Sequence, residues 1–263
     1  MDTIAFLNSR PLIGMIHLPA LPGAPRSTLS LDQLVEFAVN EAAILERAGL
    51  DGAIVENVGD APFFKLHIPP QTIAAMAIIT REVRQSTRLK LGVNVLRNAG
   101  EEAMAIASIA EADFIRLNVV IGAYVTDQGI IEGAAAELAR FRTSLRHDVA
   151  LMGDVHVKHA YPLFDVPIED AAADLAERGG ADAVIVSGAR SPAPPSFERV
   201  KAVKDAIDKP VFIGSGVGLA NLRDYAQRSD GVLIGEVDFK IGRVWGGASD
   251  EAAYAEAVRL YRS

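Results

Sequence analysis

The chain has 263 residues, half of them hydrophobic, which is enough for one large core or two smaller ones. Its 26 Lys+Arg against 34 Asp+Glu give a formal net charge of −8 with no basic run, so nucleic acid is not an expected partner. The absence of cysteine excludes disulfides, thiolate catalysis and Cys-ligated metal, and fits a reducing, cytoplasmic setting.

Short β-rich runs alternate with helical segments along the chain. The N-terminal MDTIAFLNSRPLIG lacks a long apolar core and cleavage site, so no signal peptide is expected. LIGMIHL (12–18) is the first predicted strand. LDQLVEFAVNEAAILERAG follows, with Leu34, Phe37, Ala38, Glu41, Ile44 and Leu45 at helical spacing. GAIVEN (52–57) precedes the helix TIAAMAIITREVRQ, KLGVNVL (90–96) precedes EEAMAIASIAE, and FIRLN (114–118) precedes AAAELARFRTSL. LMGDVHV (151–157) precedes IEDAAADLAERGG, and AVIVSG (183–188) precedes FERVKAVKDAI. PVFIGSG (210–216) leads into NLRDYAQR, and GVLIGE (231–236) into EAAYAEAVRLY. No apolar stretch reaches membrane-spanning length without a charge or turn.

Eight strands, each followed by a helix, predict a (β/α)8 TIM barrel of phosphate-binding type, a single domain over 1–263. Helix-to-strand connections such as EAD, IDK and RSD are short. The strand-to-helix connections PALPGAPRSTLS, VGDAPFFKLHIPP, VVIGAYVTDQG and ARSPAPP are long, and in a barrel they share the C-terminal face where active sites lie. A doubly wound open sheet, the rival fold, seldom needs eight evenly spread βα units.

In that barrel the strand ends converge on one mouth, and here they are polar: His17, Glu56, Asn57, Asn94, Arg97, Asn98, Arg116, Asn118, Asp154, His156, Lys158 and Ser187. Polar groups at that depth are costly unless paired or facing a cavity. Strand alternation puts Asp154, His156 and Lys158 on one inward face. Asp154 beside His156 makes an acid/base couple, because a carboxylate raises an imidazole pKa and orients the ring. Glu56 is a further catalytic candidate and a candidate interior ion pair with Arg116. Lys158, near the rim, suits an anion, with Schiff-base chemistry as an alternative. His17, Asn57, Asn94, Arg116, Asn118 and Ser187 are the expected substrate-binding residues. No cofactor is implied outright. His17, Glu56, Asp154 and His156 form an alternative N/O ligand set for a divalent metal, without any HExxH motif.

FIGSGVGLANL follows the seventh strand and LIGEVDFK the eighth, where such barrels hold phosphate on backbone N–H groups. Gly214, Ser215, Gly216, Val217, Gly235 and Glu236 are therefore the expected phosphate cradle. The spacing G-x-G-x-G does not match a dinucleotide-binding fingerprint, and no Gly-Lys-Ser/Thr loop is present.

PLIGMIHLPALPGAP, GLDGAIVENVGDAPF, LGVNVLRN, FIRLNVVIGAYVTDQGII and LMGDVHVKHA together resemble the BtpA/SgcQ family over essentially the whole chain. The resemblance implies a TIM barrel related to the phosphate-binding barrels. It also implies a shared set of mouth residues: His17, Glu56, Asn57, Asn94, Arg116, Asn118, Asp154, His156 and Lys158. One branch of that family is associated with photosystem I biogenesis at thylakoid membranes, another with sugar metabolism and transport genes. The expectation is a cytoplasmic enzyme isomerising, epimerising or cleaving a phosphorylated sugar or nucleotide-like metabolite. The alternatives are a non-catalytic assembly factor and a metal-dependent hydrolase. A homo-oligomer without an integral membrane segment is expected.

Overall fold

The computed structural model describes residues 2–188, 193–243 and 247–263. Among them are eleven strands, numbered here along the chain. Eight form a closed parallel barrel: β1 (Leu12–His17), β2 (Gly52–Glu56), β3 (Lys90–Asn94), β4 (Phe114–Leu117), β7 (Ala150–Val155), β9 (Ala183–Val186), β10 (Val211–Ile213) and β11 (Gly231–Ile234). β11 pairs back onto β1. All eight match the expected strands. They read clearly in the sequence because a barrel strand is buried on both faces.

Each barrel strand leads to a helix: α2 (Leu31–Ala48), α3 (Pro70–Ser86), α4 (Gly100–Ala110), α5 (Ala135–Ser144), α6 (Ile168–Glu177), α7 (Phe197–Ala206), α8 (Leu222–Ala226) and α9 (Glu251–Arg262). α2 begins with a capping box in which Ser30 and Gln33 satisfy each other's backbone N–H, and stops at left-handed Gly49. Glu41 lies within its buried stripe because Lys240 meets it at 3.0 Å and Ser249 donates to it through both N and Oγ. The main core lies between the helices and the outside of the barrel.

A second core fills the barrel, with Ile13, Met15, Ile54, Phe114, Met152 and Phe212 among its members. A helix absent from the sequence reading, α1 (Thr3–Leu7), supplies its base. Phe6 and Leu7 are buried in it, and the Phe6 ring stacks on Phe114 at a centroid distance of 6.3 Å. Each buried side chain of this size contributes about 2–3 kcal/mol.

The segment VVIGAYVTDQG, expected to be a loop, is partly ordered as sheet. β5 (Ala123–Thr126) and β6 (Gly129–Glu132) form a hairpin, and β8 (Ala160–Pro162) pairs with β5. Gly129, at φ 94°, makes the reversal, and Thr126 Oγ1 donates to its carbonyl. Of the long connection expected after the sixth barrel strand, residues 189–192 lie outside the described residues. No helix among the described residues is long and apolar enough to cross a membrane.

Candidate functional site

Alternation carries polar residues of several strands to the inside of the mouth. His17, Glu56 and Asn94 are neighbours in register at the ends of β1, β2 and β3. Asn94 Nδ2 donates to Glu56 Oε2 at 2.8 Å, and His17 Nε2 lies 3.6 Å from Glu56 Oε1. Burial, reinforced by the charges of Lys240, Lys158 and Arg116, lowers the His17 pKa to about 3. His17 is therefore a neutral imidazole, and its contact with Glu56 is not an ion pair. Burial also raises the Glu56 pKa, against the opposing pull of Arg116 and Lys158.

Arg116 pairs with Asp154, not with Glu56. Its Nε and Nη2 donate to the two carboxylate oxygens at 2.9 Å each. The strand stagger explains the choice. Arg116 stands opposite Met152, so its long side chain meets the next inward residue of β7, Asp154. Burial works against the guanidinium charge, and Asp154 more than restores it. Ser187 Oγ donates to the same carboxylate at 3.3 Å. Gly214 leaves room for this cluster: a Cβ there would lie 2.7 Å from Ser187 Oγ and 3.2 Å from Arg116 Nη2.

The Asp154–His156 couple expected from alternation does not form. β7 ends at Val155, and His156 takes a left-handed φ of 47°, which ends the alternation. Its ring turns to the small sheet and meets Tyr124 edge-on, at a centroid distance of 6.4 Å. There it lines a separate cavity of about 750 Å³ bordered by α5 and α6. With Asp154 held by Arg116 and His156 turned away, the four residues weighed as metal ligands do not converge. Among the described residues no group of three or more such side chains is placed to hold a metal ion.

The mouth encloses a cavity of about 450 Å³, within the range of small-molecule sites. Of the expected residues, His17, Glu56, Asn94, Arg116, Asn118 and Lys158 line it, together with Gly214, Ser215, Gly235 and Glu236 from the loops after β10 and β11. Asp154, Ser187, Gly216 and Val217 do not form its wall. Neither does Asn57, whose amide accepts from Leu96 N and donates to Asp60, holding the end of β3 against the loop after β2. Asn98 likewise clamps Val119 through its N–H and carbonyl.

Arg97 joins the site although the sequence reading only noted it beside strand 3. It lines the cavity, and its Nη2 donates to the Lys158 carbonyl at 2.7 Å. Burial lowers the pKa of both Arg97 and Lys158, in the latter helped by nearby Arg116. Phe63, from the long loop after β2, also lines the cavity. Within this wall Asn94 Oδ1, Asn118 Oδ1 and Ser215 Oγ are buried without a hydrogen-bond partner among the described residues. Such atoms are expensive unless a ligand or water meets them.

The barrel resembles solved structures at low sequence identity. One is (S)-3-O-geranylgeranylglyceryl phosphate synthase from Thermoplasma acidophilum, with a TM-score of 0.63 and 18% identity over 99% of this chain and 98% of that one. Sequence relatives are much nearer. An uncharacterised protein of Methanocaldococcus jannaschii is 45% identical over 88% of both chains. The photosystem I biogenesis protein BtpA of Synechocystis is 43% identical over 87% of this chain and 80% of its own. The BtpA family model matches residues 8–258, from just after α1 to the last turns of α9, so every strand and polar mouth position described above falls within the match, and the chain belongs to the BtpA family.

Proposed function

We propose that the barrel mouth binds a small phosphorylated metabolite and transfers a proton at a carbon beside its carbonyl. The observation that carries this reading is Glu56: a buried carboxyl with a raised pKa, held by Asn94 beside the neutral His17 imidazole and facing the cavity. A carboxylate with a raised pKa is a stronger base at neutral pH. Glu56 would take the proton from carbon, and the cationic Lys158 and Arg97 would stabilise the charge developing on the carbonyl oxygen. Returning the proton to the same or the adjacent carbon gives epimerisation or isomerisation. Taking the proton instead from a hydroxyl one carbon further on breaks the intervening carbon–carbon bond, leaving an enediolate on one fragment and a new carbonyl on the other, which is aldol-type chemistry. Asn118 and Asn94 offer acceptor oxygens to substrate hydroxyls. The phosphate end is assigned to the loops after β10 and β11. In support, the fold-related synthase from T. acidophilum was solved with its substrate sn-glycerol-1-phosphate.

The test is a panel of ketose, aldose and nucleotide phosphates incubated with the protein in deuterium oxide and followed by proton NMR. A substrate should exchange one carbon-bound hydrogen, and Glu56→Gln should slow that exchange by roughly 100-fold or more. The reading falls if no phosphate ester binds and none exchanges.

A second reading is a non-catalytic assembly factor, favoured by the name of the Synechocystis relative. It predicts that membrane complexes co-purify with the tagged protein and that Glu56→Gln leaves their recovery unchanged.

A further inference from the structure

The turn assigned to the ligand's phosphate already holds an anion belonging to the chain. Gly216 is left-handed, at φ 73°, and its N–H donates to Glu236 Oε1 at 3.1 Å. The Asp238 carboxylate packs against Gly218 two residues on, so two acidic side chains of one short segment front the same glycine turn. Gly214 N–H is spent on the Val186 carbonyl at 2.9 Å, within the barrel wall. Ser215 stands between these glycines. It is 3% exposed and lines the cavity, and its Oγ has no hydrogen-bond partner among the described residues.

We propose that Glu236 is an internal anion that occupies the Gly216 N–H in the unliganded protein and is displaced by the phosphate of the ligand. Glu236 thereby sets how tightly phosphate esters bind. The inference rests on the phosphate reading above and adds to it a residue that decides specificity. Two anions cannot share one N–H without strong repulsion. The exchange favours a group that does more than Glu236 does. A tetrahedral phosphate has enough oxygens to accept from Gly216 N–H and Ser215 Oγ together, whereas the Glu236 carboxylate leaves Ser215 Oγ unmet. A ligand presenting a lone carboxylate offers little over the resident one and is selected against. Lys158 feels the charges of both Glu236 and Glu56, so the displaced carboxylate stays within the field of a cation.

The experiment is a calorimetric titration of inorganic phosphate into the full chain at pH 7.5, for native protein, Glu236→Gln, Glu236→Ala and Glu236→Ala/Ser215→Ala. Thermal melts establish that each variant is folded. Glu236→Ala should bind phosphate at least 10-fold tighter than native. Glu236→Gln should fall between, since its amide oxygen still meets Gly216 N–H but carries no charge. Ser215→Ala should remove part of the gain, placing the anion at this turn. If Glu236→Ala does not fold, the milder Glu236→Gln carries the comparison alone. Phosphate binding in native and variants within 2-fold of one another overturns the inference and leaves the phosphate reading standing. A gain untouched by Ser215→Ala places the anion elsewhere and also overturns it. No phosphate binding by any variant overturns the inference, and the phosphate reading is then decided by the panel of phosphate esters above.

Discussion

Replacing Asp154 with Leu tests the ion pair that underlies the mouth. Arg116 meets both Asp154 oxygens at 2.9 Å, and the two side chains are 5% and 0% exposed. A solvent-exposed pair of the same kind contributes about 0–1 kcal/mol, because water and salt screen it. Here screening is absent and the geometry is bidentate. Removing the carboxylate leaves a guanidinium buried among Lys158 and Arg97, whose charges it already opposes. The expected loss is about 3–5 kcal/mol. At about 2–4 °C per kcal/mol for a chain of this size, the melting temperature should fall by roughly 6–20 °C. Removing both charges in Arg116→Met/Asp154→Leu should recover most of that loss, since a buried ion pair and an apolar pair of similar volume are often close in energy. Urea unfolding of native protein, both single variants and the double variant gives the coupling energy, expected at about 2–3 kcal/mol. A loss below about 1 kcal/mol in Asp154→Leu, or additive single effects, would refute the reasoning.

Two further outcomes concern stability. His17 stays neutral in the fold down to about pH 3, whereas an unfolded histidine takes a proton near 6.5. Over that window the unfolded chain binds one proton more, so His17 makes stability fall by about 1.4 kcal/mol for each unit that the pH drops. His17→Gln should lack that component when unfolding is measured from pH 7 to 4; parallel profiles would contradict it. Lys240→Met should cost about 3 kcal/mol, because it leaves the buried Glu41 carboxylate with, among the described residues, its bonds from Ser249 and no cation. Calorimetric melting measures the loss, and Glu41→Gln added to Lys240→Met should restore part of it. An unchanged melting temperature in Lys240→Met would show that the pair contributes nothing.

The barrel was legible because its strands are buried on both faces and so stand out as apolar runs between amphipathic helices. What escaped was short or set by the backbone. α1 spans five residues and the strands of the small sheet three or four, too few for periodicity to declare itself. His156 was assigned inward by extending the alternation of β7 one residue too far; its left-handed φ has no signature in the residue type. Arg116 had two carboxylates within plausible reach, and only the stagger between β4 and β7 decides for Asp154 over Glu56. The glycine turn after β10 was recognisable as a place for an anion. That a side chain from the next strand end fills it depends on how Glu236 folds back, which spacing does not encode.

Phe6 and Leu7 give the barrel a floor. The space above Glu56 is thus closed from below, and a ligand would enter and leave it from the mouth. On the proposed proton-transfer chemistry, substrate and product share this one cavity and exclude each other, so product inhibition should be competitive.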